Sequence, residues 1–426
     1  MKMRRRTFLQ GCCSGIAALA GTRLGNLSFG QNPGQRDVII SVFLRGGLDA
    51  LSLLAPFNDS EYHAARPDLG LAGANVFDLD GYFGLNVAAE RLRDLYSAGH
   101  LALIPACGFP DSNRSHFEAQ DIMDRGVTGY AAQGGDGWLA RHLAPAAPME
   151  SVFRAVSLGS SLSTSLEGYN GGLSMNSAGD FTLNTHWNHV DDARVALRQM
   201  YAGDPRLSGL AERTLDAMDI VDSNPPGNYT PGNNVTYPNT NFSNALRSLA
   251  QIIRMQVGLE AATVDLGGWD THENQASGSN PAEGYFANLV REMSEGLHAF
   301  WSDLQDQHGR LTIVIMSEFG RRVRENNSRG TDHGHGGLMG VISANVREKK
   351  IYGTWPGLAQ GQLFESVDVQ MTTDFRTVIA EILRARRGVS PTEIAALFPD
   401  FSFGAPVGFF LDPGAPTAAS DWSLFQ

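Results

Sequence analysis

The sequence predicts an α/β fold with a largely parallel central sheet, on three observations. Short apolar runs recur along the chain: Val38 to Leu44, Leu101 to Ala106, Ala261 to Leu266, Leu311 to Met316 and Leu338 to Ser343. Their length and β-branching favour buried strands, and several stop at turn signals, Gly46-Gly47, Gly267-Gly268 and Ser317-Glu318-Phe319-Gly320. Longer segments with helical periodicity lie between them, at Val87 to Tyr96, Ala245 to Val257, Tyr285 to Gln307 and Thr373 to Ala385. Buried strands that alternate with long helices are the signature of a parallel sheet covered by helices.

Composition narrows the classes. The 426 residues suffice for one large domain or two ordinary ones, and 42% hydrophobic with 18% charged residues is a globular balance. A formal net charge of −12 argues against nucleic acid or an anionic membrane as partner. No apolar run reaches the roughly 18 residues of a transmembrane helix. The 48 glycines suggest tight turns and long functional loops.

Residues 1–30 read as an export signal. They hold five basic residues and no acid, with Arg5-Arg6-Thr7-Phe8-Leu9 in the twin-arginine pattern. A weakly apolar stretch from Gly11 to Gly21 follows, then small residues suited to cleavage at Ser28-Phe29-Gly30. Export to the periplasm or beyond is expected, with the twin-arginine translocase as a transient partner. Removal of the signal leaves 28 basic against 45 acidic residues, a net −17, and one cysteine, Cys107. A lone thiol forms no internal disulfide. The expected organisation is a signal at 1–30 and one domain over 31–426. The Asn-, Pro-, Gly- and Thr-rich stretch around 223–244 has no apolar periodicity and reads as a long loop or an insertion.

In an open α/β sheet, ligands bind beyond the carboxyl ends of the strands. The polar residues after each expected strand are therefore the candidates. They are Arg45, Asp49 and Ser52; then Asn113, Arg114, Ser115 and His116; then Trp269-Asp270-Thr271-His272; then Ser317, Glu318 and Arg321, with Asp332-His333-Gly334-His335 beyond. Asp270 with His272, and Asp332 with His333 and His335, group oxygen and imidazole donors that suit a divalent ion such as Zn, Mn, Mg or Ca. Ser115 precedes a helical pattern over Phe117 to Met123, a place for a nucleophile or for an N-cap. The G-x-S-x-G, H-E-x-x-H, P-loop and dinucleotide motifs are absent, which removes the chemistries that need them.

Five segments occur in order: VFLRGGLDALSLLAP from Val42, NRSHFEAQDIM from Asn113, GGWDTH from Gly267, SEFGR from Ser317 and TDHGHGG from Thr331. Together with the twin-arginine signal they resemble the domain of unknown function 1501 family, which is similar to the alkaline phosphatase and sulfatase superfamily. The resemblance implies a three-layer sandwich and a metal-dependent site. It casts Asp49, Asp270, His272, Glu318, Asp332, His333 and His335 as metal ligands, and Ser115 as nucleophile beside His116. Arg114 or Arg321 would hold substrate oxygens. Glu318-Phe319 stands where the superfamily normally has an Asp-His pair. The expectation is an exported metal-dependent hydrolase of a small or polymer-linked phosphate or sulfate ester. The alternatives are a non-catalytic metal- or polymer-binding relative that serves the cell envelope, and a phosphotransferase acting on glycans.

Overall fold

The computed structural model describes residues 36–128, 135–145, 151–181, 189–203, 208–225, 228–278 and 280–411. The twin-arginine segment lies outside them. Eleven strands are present among these residues: β1 (Val38–Leu44), β2 (Leu54–Ala55), β3 (Val76–Asp78), β4 (Gly84–Asn86), β5 (Leu101–Gly108), β6 (Ala155–Leu158), β7 (Gly172–Met175), β8 (Ala261–Leu266), β9 (Leu311–Met316), β10 (Gly337–Ser343) and β11 (Thr373–Asp374). Eight form one sheet in the order β11-β5-β10-β9-β1-β8-β6-β7, and β2, β4 and β3 form a small second sheet.

In the large sheet only β10 runs against its neighbours, pairing antiparallel with both β5 and β9. Every other pairing is parallel. The reversal is positional in effect. The chain leaves the carboxyl end of β9, makes one long loop and re-enters at the start of β10. Both halves of the loop from Ser317 to Gly336 therefore lie at the same end of the sheet as the ends of β1, β5 and β8.

The strands alternate side chains between two cores, as a pleat requires. Val38, Ile40, Val42, Leu311, Ile313 and Ile315 pack on one face with Leu246, Leu249, Phe286 and Leu297 from the helices Asn241–Arg254 and Tyr285–Asp303. Ile39, Phe43, Val314 and Met316 pack on the other with Ile122, Trp138, Phe375 and Ile379 from the helices His116–Arg125, Trp138–Leu143 and Phe375–Arg387. Helices thus cover both faces of a mostly parallel sheet, in three layers.

Within the stretch around 223–244, the described residues form only a short turn at Gly232–Asn234 before the helix at Asn241. Buried Asp303 pins the stretch by accepting from Tyr229 Oη (2.6 Å), Tyr237 Oη (2.7 Å) and the Gly232 N–H (2.7 Å). Cys107 is a free, buried thiol on β5.

Candidate metal centre

The elements that approach the carboxyl end of the sheet carry the candidate residues. The helix His116–Arg125 begins shortly after β5, the Trp269–His272 loop follows β8, and the Ser317–Gly336 loop joins β9 to β10. Two glycines after β1 make the approach possible. Gly46 has φ +122°, and a Cβ there would stand 2.5 Å from the Asp270 backbone nitrogen. Gly47 has φ +70°, and its Cβ would meet the Phe319 ring at 2.4 Å. Only glycine takes both the backbone conformation and the contact.

His116, Asp270 and His333 each offer a ligand atom, and these atoms lie within 4.8 Å of one another. Each imidazole near Asp270 has its Nδ1 engaged by an acceptor. For His116 it is Glu318 Oε1 at 2.8 Å, for His333 the Arg114 carbonyl at 2.8 Å, and for His272 Asp332 Oδ1 at 3.2 Å. An acceptor at Nδ1 places the proton there and leaves Nε2 as a lone pair. The three Nε2 atoms then face one oxygen, Asp270 Oδ1, at 3.4 Å from His116, 3.1 Å from His272 and 3.1 Å from His333. The Nε2 atoms of His272 and His333 are themselves 2.9 Å apart. Lone pairs aimed at each other and at a carboxylate repel unless a proton or a cation lies among them. His116 Nε2 is buried and makes no hydrogen bond.

These spacings test whether a metal fits. Tetrahedral coordination with bonds of about 2.0 Å separates ligand atoms by about 3.3 Å, close to the observed distances. Nδ1 bonded to a carboxylate or carbonyl is also the usual support behind a metal-binding histidine. The donor set of imidazoles and one carboxylate suits Zn and its borderline neighbours.

Charge is tuned accordingly. Burial pushes the Asp270 carboxyl up, but Arg321, His333 and His272 outweigh it and hold it down at about 2. The hydrogen bond that His116 donates to Glu318 raises it, against the effect of burial. Burial lowers His333, which favours the neutral ring. Asp332 is held low, first by its bond from Asn326.

The remaining expected residues are placed differently. Asp49 is fully buried. Its oxygens accept from Arg66 Nη1 (2.6 Å) and Nη2 (2.9 Å), Ser52 Oγ (2.6 Å) and Gln275 Nε2 (2.8 Å). Asp49 is thus held in a structural ion pair with Arg66 and is not among the grouped ligand atoms of His116, Asp270 and His333, where the expectation places it. His335 is buried against Phe364, with ring centroids 4.1 Å apart, away from the cluster. Glu318 sits behind His116 rather than among the ligand atoms and also accepts from the Gly46 N–H and from Gln120, each at 2.8 Å.

Arg321 is not free to hold a substrate. Its guanidinium bonds to the carbonyls of Gly46, Gly47, Trp269 and Thr331 and to Asp270 Oδ1 at 2.6 Å. It clamps three loops together from inside. Arg114 pairs with Asp368 and Glu365 and gives its carbonyl to His333. Ser115 occupies the N-cap of the helix His116–Arg125, yet its side chain makes no capping bond and the residue is exposed.

Phe319 lies with its ring 5.0 Å from that of His116 and 4.8 Å from that of His333. His116, expected beside the nucleophile, instead turns its Nε2 to Asp270 from another element. The sequence signal for this was only that His116 follows a strand. A cleft of about 230 Å³ lies beside Asp332, with Glu61, Glu325, Asn326, Arg322 and Arg324 also in its wall.

Fold and cluster together define an α/β protein with a candidate metal centre beyond the carboxyl ends of its sheet. Residues 100–398, more than half of the chain, match the family described as Protein of unknown function (DUF1501), and the chain belongs to that family. Among solved structures it is similar to the C-terminal periplasmic domain of EcEptC from Escherichia coli in complex with Zn. That match has 10% identity and a TM-score of 0.38, over 93% of this chain and 99% of the other. It is also similar to Ps i-CgsB in complex with k-i-k-neocarrahexaose, with 13% identity and a TM-score of 0.34, over 85% and 72% of the two chains. No curated protein matches the sequence.

Proposed function

We propose that the protein is an exported, metal-dependent hydrolase of a phosphate or sulfate ester. One observation carries the reading: imidazole lone pairs, each fixed by an acceptor at the opposite nitrogen, converge on Asp270. His116, Asp270 and His333 would hold the ion, with His272 at the rim. A divalent ion bound there lowers the pKa of a coordinated hydroxyl or water and neutralises an anionic substrate.

The chain's own groups supply the rest. Glu318 and the Arg114 carbonyl fix the tautomers of His116 and His333. Phe319 excludes water from one side of both rings. Ser115 presents an uncapped hydroxyl at the start of a helix whose first N–H groups favour an anion. It is the nucleophile of this reading: its oxygen bonds to phosphorus or sulfur, the ester oxygen leaves with a proton, and water then frees the acid. The site would be delivered to the periplasm or beyond by the twin-arginine signal at 1–30, and residues 31–426 would act as one unit.

A second reading, a non-catalytic metal-binding relative that serves the envelope, draws on Asp49. That residue aligns with a metal ligand of the resembled superfamily but is consumed by Arg66, which leaves a single centre rather than a pair.

Elemental analysis of the purified protein, with phosphate and sulfate ester hydrolysis, tests the reading. About one divalent ion per chain is expected. Ser115→Ala should keep the metal and the melting temperature and lose most turnover. A metal-free wild-type protein rejects the metal site. Full turnover in Ser115→Ala rejects the nucleophile, and a loaded wild type inert toward both ester classes selects the second reading.

A further inference from the structure

The opposite end of the sheet carries a second built site. Arg36 lies two residues before β1, Arg154 immediately before β6 and Glu260 immediately before β8. At about 3.3 Å per residue, β1 separates them from the metal cluster by about 20 Å. They line a cleft of about 620 Å³ together with Arg141, His142 and Arg387. Such a volume suits a small organic ligand.

The electrostatics are unbalanced. Glu260 pairs with three arginines, Arg36, Arg154 and Arg387. Arg141 bonds only to carbonyls, those of Asp136, Leu397 and Arg125. The other carboxylate in the wall, Glu393, is occupied by the cap of its own helix at Ser390. Four arginines thus meet two carboxylates.

Two donors in this wall are moreover unspent. Arg154 is 2% exposed, and its Nη2 has no hydrogen-bond partner. His142 Nε2 is likewise buried and unpaired. A buried guanidinium N–H without a partner is unfavourable, and a bound anion would satisfy it. The remaining wall is apolar, from Ala144, Val389 and Leu397.

We infer that this cleft is a binding site for a small organic anion, with its carboxylate head at Arg154 and His142 and its apolar body along Val389 and Leu397. The site is independent of the metal centre and of the hydrolase reading.

Calorimetric titration of the full protein with octanoate, acetate and octylamine tests it, followed by hydrogen exchange. Octanoate should bind saturably, at least about tenfold more tightly than acetate, and octylamine should not bind. Protection should appear in 138–145 and 387–397. His142→Ala and Arg154→Gln should each weaken octanoate at least about tenfold, while His333→Ala at the other end leaves it unchanged. Should Arg154→Gln not fold, wild-type protection and His142→Ala decide. No binding of octanoate, equal binding of octylamine, or loss of binding in His333→Ala overturns the assignment.

Discussion

Asp49 and Asp270 sit at the same end of the same sheet, each following a parallel strand, and their surroundings differ in one respect. Asp49 is fully buried, and donors meet both its oxygens: a two-pronged guanidinium, a hydroxyl and an amide. Asp270 is half-exposed, and besides the Arg321 donor its oxygen faces three imidazole nitrogens whose protons belong on the other side of the ring. The first arrangement is closed and stabilises the fold. The second is left incomplete by its own hydrogen-bond pattern, which is the condition for recruiting an ion. A carboxylate at a strand end therefore signals a site only when its partners are themselves acceptors.

The largest effect that separates the two is expected from Asp49→Ala. Removing one member of a buried pair strands Arg66 in the interior and costs about 3–5 kcal/mol, read by urea unfolding, while metal per folded molecule stays at the wild-type level. Loss of metal with unchanged stability would place Asp49 in the centre after all.

Glu318→Gln sharpens the other half. It keeps the shape but takes away the anionic acceptor behind His116, so metal affinity should fall about 10–100-fold in a chelator competition. An unchanged affinity would mean that Nδ1 of His116 needs no carboxylate behind it.

Gly47→Ala tests the approach of the loops. The left-handed backbone and the overlap with Phe319 together should cost about 1–3 kcal/mol, and the melting temperature measures it. Because Phe319 also walls His116 and His333, metal affinity should fall alongside.

The smallest effect is a pH slope. Although burial opposes it, Arg66 holds the Asp49 carboxyl below the ordinary range. A lowered acid favours the folded state above its unfolded value, about 3.9, and that contribution disappears as pH falls through the lower folded value. Stability of the wild type should therefore drop by up to about 1.4 kcal/mol per pH unit below pH 4 from this group. Asp49→Asn should lack that part of the slope in unfolding curves taken between pH 4 and pH 2.5.

The fold was legible where strands are covered on both faces, because double burial writes a continuous apolar run. Val38–Leu44, Ala261–Leu266 and Leu311–Met316 read directly as strands. The four-residue β6 and β7 and the two-residue β11 escape such a reading, since they are too short to show a pattern. The helices Val190–Tyr201 and Ser208–Ser223 also went unread. At the site, strand-end position pointed to Asp270, His272, Glu318 and His333. It pointed equally to Asp49, His335 and Arg321, because which lone pairs are spent is decided by partners far away in the chain. Arg66 lies 17 residues from Asp49 and Gln275 lies 226. The insertion of antiparallel β10 between β5 and β9 is what brings His116 beside the β9–β10 loop, and strand order is not written in any local segment.

That antiparallel strand also sets an order of assembly. The β9–β10 pair closes locally and positions Glu318 and His333 as soon as one loop forms. His116 and Asp270 arrive only when β5 and β8, distant in sequence, have docked, a step delayed by the entropy of closing long loops. A half-built sheet thus holds only part of the cluster. On the proposed reading, metal content would then report the completion of the whole sheet.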